Sequence, residues 1–218
     1  MKNKVSIITP TWKNIKYLEK TIKSVQAQTY RNFEHLIATE IRGSGAEKIC
    51  SGYDVKFQYT RKERSDKINE MGARATGDYI LVLCDDDLIT PDFLEKTVSA
   101  MEEMDVDIVY TDMKRFGAMN NIVVAREWND SIEEDTIPYI TSLVKKSVWD
   151  KIGGYDHKLY NFADWDFWWT AKDMGCSADH LPEPLFHYRI RETSDFNTLD
   201  KNRARNEVQA KHFKNIKW

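Results

Sequence analysis

Short apolar runs alternate with amphipathic helical patterns through the first half of the chain, and this alternation limits the fold more than any other feature. Val5-Ser6-Ile7-Ile8 reads as a buried strand stopped by Pro10. Ile15, Leu18, Ile22 and Val25 then recur at spacings of three and four, one face of a helix. Phe33 to Ala38 is a second strand, and Val55 to Tyr59, which alternates, is a half-buried third. Ser65 to Ala75 reads as a helix ended at Gly77. Tyr79-Ile80-Leu81-Val82-Leu83 is the clearest buried strand. Thr90-Pro91 supplies an N-cap and a proline at the first helical position, opening a helix with Leu94, Val98 and Met101 on one face. Asp107 to Tyr110 is a further strand. This order predicts an α/β fold with a mostly parallel sheet covered on both faces, whose ligands bind beyond the carboxyl ends of the strands.

The second half is less regular. Residues 112–137 are polar with strand-like pieces such as Ile122-Val123-Val124. Thr141 to Ile152 reads as a short strand and helix ending at Gly153-Gly154, and Asp164 to Met174 as a tryptophan-rich helix ending at Gly175. Leu185 to Arg189 is a strand, and a basic helix follows Asp200. With 218 residues, no repeat and no clear linker, a single domain over 1–218 is expected.

Composition removes several classes. A net charge of −3 argues against a nucleic-acid binder, which needs a basic face. Cys50, Cys84 and Cys176 are scattered and odd in number, so neither a disulfide framework nor a zinc site is expected. Val5 to Ile8 is too short for a signal-peptide core, and no run approaches the roughly 18–20 apolar residues of a membrane span. A cytoplasmic protein is expected, able to visit the inner face of a membrane but not to span it.

Asp85-Asp86-Asp87 directly follows the clearest strand. Three adjacent carboxylates repel one another, and a divalent metal bound to phosphate oxygens would offset them. A solvated acidic turn before a helix is the plain alternative. An Asp-x-Asp-x-Thr phosphatase motif is disfavoured, because Ile89 stands where threonine is wanted.

Several ordered stretches together resemble a family 2 glycosyltransferase of the GT-A fold, over about residues 4 to 195. They are Val5 to Trp12 (a strand ending Pro-Thr-Trp), Ser24-Val25-Gln26-Ala27-Gln28-Thr29-Tyr30, and the run carrying Asn69, Gly72, Ala75, Gly77 and Asp78. Ile152-Gly153-Gly154-Tyr155-Asp156, Asp164-Trp165-Asp166-Phe167-Trp168 and His187-Tyr188-Arg189 follow. The resemblance implies a Rossmann-like sheet with a smaller acceptor-side sheet. It divides the domain into a nucleotide-sugar-binding half (1–111), an acceptor-binding half (112–200) and a basic C-terminal helix (201–218). The implied reaction is metal-dependent, inverting transfer of a sugar from a UDP-linked donor to a hydroxyl of a saccharide or lipid-linked acceptor, in the manner of bacterial polysaccharide assembly.

The resemblance also implies roles. Thr9, Pro10 and Thr11 line the base pocket, Asp85 faces the ribose, and Asp86 binds Mn2+ or Mg2+ with Asp87 in support. Asn69 and Arg64 lie on the donor side, and Asp164 is the general base. On its own, Asp164 reads more readily as a helix N-cap, and the motif around it favours the base. The family's acidic segment after the second strand is here Ala38 to Ser44, where Glu40 takes the acid's place. Arg191 stands where the late histidine is usual; Arg189 and Arg191 could neutralise diphosphate, and His187 is either a metal ligand or a plain strand residue. Among Trp149, Trp165, Trp168 and Trp169, core packing competes with sugar stacking, and Trp165 is the candidate acceptor platform. The basic C-terminal helix could touch anionic lipid. The rival functions are a sugar-nucleotide-forming nucleotidyltransferase, disfavoured by the absence of a Gly-rich basic loop at Thr9 to Lys13, and a non-catalytic saccharide-binding relative.

Overall fold

A computed structural model of the protein describes residues 3–12, 15–62, 64–128, 132, 138–159, 161–192 and 200–213. The first half is β1 (Val5–Thr11), α1 (Leu18–Gln26), β2 (Phe33–Thr39), α2 (Ala46–Cys50), β3 (Lys56–Tyr59), α3 (Arg64–Arg74) and β4 (Tyr79–Val82). Next come β5 (Leu88–Ile89), α4 (Phe93–Met104), β6 (Ile108–Gly117) and β7 (Asn121–Val123). The last part is β8 (Leu143–Lys145), α5 (Lys146–Ile152), α6 (Ala163–Asp173), β9 (Ala178–Ile190) and α7 (Lys201–Phe213).

All nine strands join one sheet in the order β3-β2-β1-β4-β8-β6-β9-β5, with β7 paired to β6. The pairs β3–β2, β2–β1 and β1–β4 are parallel. β8 is antiparallel to both β4 and β6, and β6 then runs parallel to β9. The strands of the second half therefore continue the sheet of the first, rather than forming a separate smaller sheet.

Successive strand residues turn to opposite faces. Ile8, Ile80 and Val82 join a core with α3, α5, α6 and α7 residues such as Ile68, Trp149, Trp168 and Val208. Ile7, Leu81 and Leu83 join Phe93, Leu94, Val98 and Met101 of α4 on the other. Leu18 and Ile22 of α1 pack on Ile37. Both faces are covered, which explains the near-continuous apolar strands.

Several boundaries differ from expectation. β6 runs on to Gly117 and β9 begins at Ala178, because the two strands pair with each other along that length. β1 runs through Pro10 to Thr11, because β4 pairs only as far as Ile8 and leaves β1 an edge on that side, where proline is tolerated. α4 starts at Phe93, so Thr90 is not its N-cap. Its first turn is held by Gln28, whose side-chain oxygen accepts from Leu94 N–H (2.9 Å) while its amide donates to the Thr90 carbonyl (2.7 Å). Gln28 is the glutamine of the Ser-Val-x-x-Gln-Thr-Tyr stretch, and this bond gives that motif its physical purpose.

Candidate active site

The ends of β1, β2 and β4 meet α3 and the start of α6. At the end of β4, Asp85 Oδ2 accepts from the Trp12 backbone N–H (3.2 Å). Burial pushes Asp85 up to about 6. Trp12 itself is 42% exposed, a flat aromatic face at the rim.

Asp86 Oδ2 lies 3.0 Å from Arg191 Nε, and its carbonyl accepts from Arg189 Nε (2.8 Å). The Arg189 guanidinium is sandwiched between the rings of Tyr17 (4.0 Å) and Phe116 (4.2 Å). Asp87 points inward. Its Oδ1 accepts from Arg189 N–H (2.8 Å), and its carbonyl accepts from the Thr21 hydroxyl (2.8 Å). Asp87 Oδ2 is buried without a hydrogen-bond partner. Burial, then the charge of Asp86, raises Asp87 well above the usual carboxylate range.

Arg64, first residue of α3, joins the two acidic centres. Its Nη2 sits 3.3 Å from Cys84 Sγ, directly before the triplet, and its charge acts on Asp85, Asp87 and Asp164. Asp164 occupies the second position of α6, so it is not the N-cap; that position belongs to Phe162, at φ 58°. Burial raises Asp164, opposed by Arg64 and by backbone N–H groups at the helix start.

Several expected site residues do other work. Thr9 is fully buried, its hydroxyl 2.9 Å from His35 Nε2 inside the sheet, so it does not line the base pocket. Burial pushes that imidazole down to about 3. Pro10 and Thr11 are buried in β1, and Thr11 offers its carbonyl to Lys67 Nζ (2.8 Å). Lys67, 1% exposed, also pairs with Glu40 Oε2, leaving Glu40 Oε1 buried and unpartnered.

Asn69 is a clamp rather than a donor contact. Its Nδ2 donates to the Tyr155 carbonyl (2.7 Å) and its Oδ1 accepts from Tyr155 N–H (2.8 Å). The close approach explains two motif glycines. A Cβ on Gly154, which sits at φ +79°, would lie 2.2 Å from Asn69 Oδ1, and one on Gly72 would lie 2.5 Å from Trp149 Nε1. Replacing Asn69 with Ala removes both bonds and leaves buried backbone groups unpaired. The expected loss is about 2 kcal/mol, read as a lower urea midpoint at unchanged m-value.

Trp165 is no acceptor platform. It is 1% exposed, its indole N–H donates to the Ile132 carbonyl, and its ring lies among Phe162 and Trp169. The helical spacing of Trp165, Trp168 and Trp169 turns them all into the core. His187 is a strand residue whose ring neighbours Phe116. Among the described residues no three His, Cys, Asp or Glu side chains gather to hold a metal, so His187 does not join Asp86 and Asp87.

The acidic pair still suits a hard divalent cation. Such an ion, when it also rides on substrate phosphates, needs only one or two protein carboxylates. Asp86 presents one at the site, and the unsatisfied Asp87 Oδ2 is an oxygen a cation would compensate.

Residues 6–170 match the model of the family described as Glycosyl transferase family 2. The chain belongs to this family. It is 26% identical over 208 residues to the EpsE protein of Bacillus subtilis, covering 88% of this chain and 74% of that one. An uncharacterized glycosyltransferase of Methanocaldococcus jannaschii is also 26% identical, over 88% of this chain and 72% of its own. Among solved structures, Staphylococcus aureus TarS 1-349 in complex with UDP-GlcNAc superposes with a TM-score of 0.79 at 17% identity, covering 90% of this chain and 61% of that chain. The mannosyltransferase PcManGT of Pyrobaculum calidifontis, in complex with GDP-Man and Mn2+, gives 0.78 at 14% identity over 100% of this chain and 66% of that chain. The chain thus spans about three fifths to three quarters of the length of these relatives. Its fold is the GT-A fold of those glycosyltransferases.

Two residues of this family 2 domain escaped sequence reasoning. Lys67 shares the inward face of α3 with Ile68, Met71 and Gly72, and a lysine at a core position was the available signal. Tyr155 carries a buried hydroxyl without a hydrogen-bond partner, electrostatically close to Asp164, Cys84 and Arg64. Where the family motif has phenylalanine, the tyrosine itself was the signal.

Proposed function

We propose that this domain transfers a sugar from a UDP-linked donor to a hydroxyl of a saccharide or lipid-linked acceptor, with inversion at the anomeric carbon. One observation carries the reading: Arg64 lies 3.3 Å from Cys84 Sγ at the acidic strand end that would hold the donor, and its charge also acts on the buried carboxylate of Asp164.

The donor's ribose lies against Asp85, whose carboxylate accepts from a ribose hydroxyl. Glu40 Oε1, buried and unpartnered, is the acceptor available for the imide N–H of uracil. Exposed Trp12 flanks both positions. Arg64 and Arg191 bring positive charge to the diphosphate. Asp86, with Asp87 behind it, would hold a divalent cation, which when bound with the donor supplies further positive charge to the departing diphosphate. Asp164 takes the proton of the acceptor hydroxyl as its oxygen attacks the anomeric carbon. The bond to the nucleoside diphosphate breaks with both electrons leaving on the phosphate oxygen.

A thermal-shift panel of UDP- and GDP-sugars, with and without manganese, tests this. A ligand at about 100 times its Kd stabilises by about 2.7 kcal/mol, a rise of roughly 5–10 °C here. UDP-sugars with manganese are expected to give the largest rise. Because Asp85 is raised to about 6, it is ionised above that pH and protonated below it. The rise should therefore shrink as the pH is lowered from 7 to 5. No shift with any nucleotide in either condition would overturn the donor assignment.

A further inference from the structure

Two acidic motif residues, Asp156 and Asp166, have no part in the chemistry above, and both face the C-terminal helix. Asp166 is 3% exposed and needs compensation for its charge. Lys211 Nζ lies 2.8 Å from its Oδ2, and His212 Nε2 lies 3.0 Å from its Oδ1. The same Lys211 Nζ lies 3.0 Å from Asp156 Oδ2. The His212 ring stacks on Trp169 at 4.4 Å and 8°, with Nδ1 3.1 Å from Asp173. Ala204 and Val208 of α7 are fully buried.

One ammonium therefore ties together the segment that follows Gly153-Gly154-Tyr155 and the helix that carries Asp164. Tyr155 also meets Phe167 of α6 edge to face at 5.5 Å, an apolar contact that leaves the helix's charged side to the ammonium. α6 has no side-chain cap bond, and it is entered through Phe162 at φ 58°, a conformation that persists only when its surroundings impose it. Asp166 lies two residues after Asp164, so what fixes one carboxylate on α6 sets the depth and rotation of the other.

We propose that α7 is a latch for the active site, with Lys211 a positioning residue for Asp164. The inference rests on Asp164 as the general base; the latch itself does not.

The test compares Lys211→Met, Lys211→Arg and Arg203→Gln, the last altering an exposed pair with Glu207 on the same helix. Lys211→Met is expected to lower kcat about 10-fold while UDP affinity stays within about 2-fold, the pattern of a misplaced group rather than a lost donor site. Lys211→Arg, which can also bridge two carboxylates, is expected to recover kcat to within about 3-fold of wild type. Amide hydrogen exchange over Ala163–Asp173 reads the latch without reference to transfer, and should quicken in Lys211→Met but not in Arg203→Gln. If Lys211→Met does not fold, Asp156→Asn removes only the outer leg and should give the same pattern more weakly. Unchanged exchange overturns the latch. Faster exchange with unchanged kcat, or kcat and UDP affinity falling together, overturns the positioning role. Wild-type transfer by Asp164→Asn would remove the base reading and the positioning role with it, leaving the exchange result to decide the latch alone.

Discussion

Asp164→Asn is expected to abolish transfer while leaving donor binding intact. The substitution keeps the size of the side chain but removes the carboxylate proposed to take the acceptor's proton, a contribution of about 10²–10⁴-fold in rate. UDP affinity should be unchanged, because the proposed donor contacts lie at the ends of β1, β2 and β4. The pH dependence carries a second signature. Burial raises Asp164 above the ordinary aspartate range, so the proton is held to a higher pH than usual. The base is present only above that raised value, and kcat should fall as the pH drops through it. Donor titration by calorimetry beside steady-state transfer separates the two effects; transfer by Asp164→Asn at the wild-type rate would remove the base from this site.

Glu40→Ala is expected to be the most destabilising single change at the donor side. Lys67 is almost wholly buried, and beyond Glu40 the described residues offer its ammonium the Thr11 carbonyl and, at 5.1 Å, the Trp12 ring. Removing the carboxylate strands a buried charge, at a cost of about 3 kcal/mol, or roughly 6–12 °C in melting temperature for a chain of this length. The double variant Glu40→Ala with Lys67→Met removes the stranded charge as well and should regain most of that loss. A double variant no more stable than Glu40→Ala would show that the pair is not what holds the end of β2. Both variants should lose UDP affinity, since neither keeps Glu40 Oε1.

Much of the fold could be read from local pattern, because β1, β2 and β4 are buried on both faces and the amphipathic helices announce their inward sides. What escaped depended on contacts distant in sequence. Pro10 looked like a stop because nothing nearby says that β4 ends opposite Ile8. The start of α4 was misplaced because its first turn is held by Gln28, 66 residues before Leu94. At the site, the residue types at the end of β4 and at Asp164 singled out these positions, but not each side chain's partner. Asn69 and Trp165 sit within motif stretches, yet one clamps a backbone and the other fills the core. Periodicity tells which face a tryptophan takes only once the packing of its neighbours is known. Lys67 was passed over because a lysine on a helix is ordinarily solvated.

The sheet runs without a break from β3 to β5, and β8 is hydrogen-bonded to β4 on one side and β6 on the other. Any hinge between the first and second halves of the domain would have to tear those two ladders. Opening and closing around substrates must then be the business of side chains and connecting segments above the strand ends, while the platform beneath them stays rigid. Variants that speed or slow product release are expected to map to the segments around Trp12, Arg64 and Arg191 rather than to the strands that carry them.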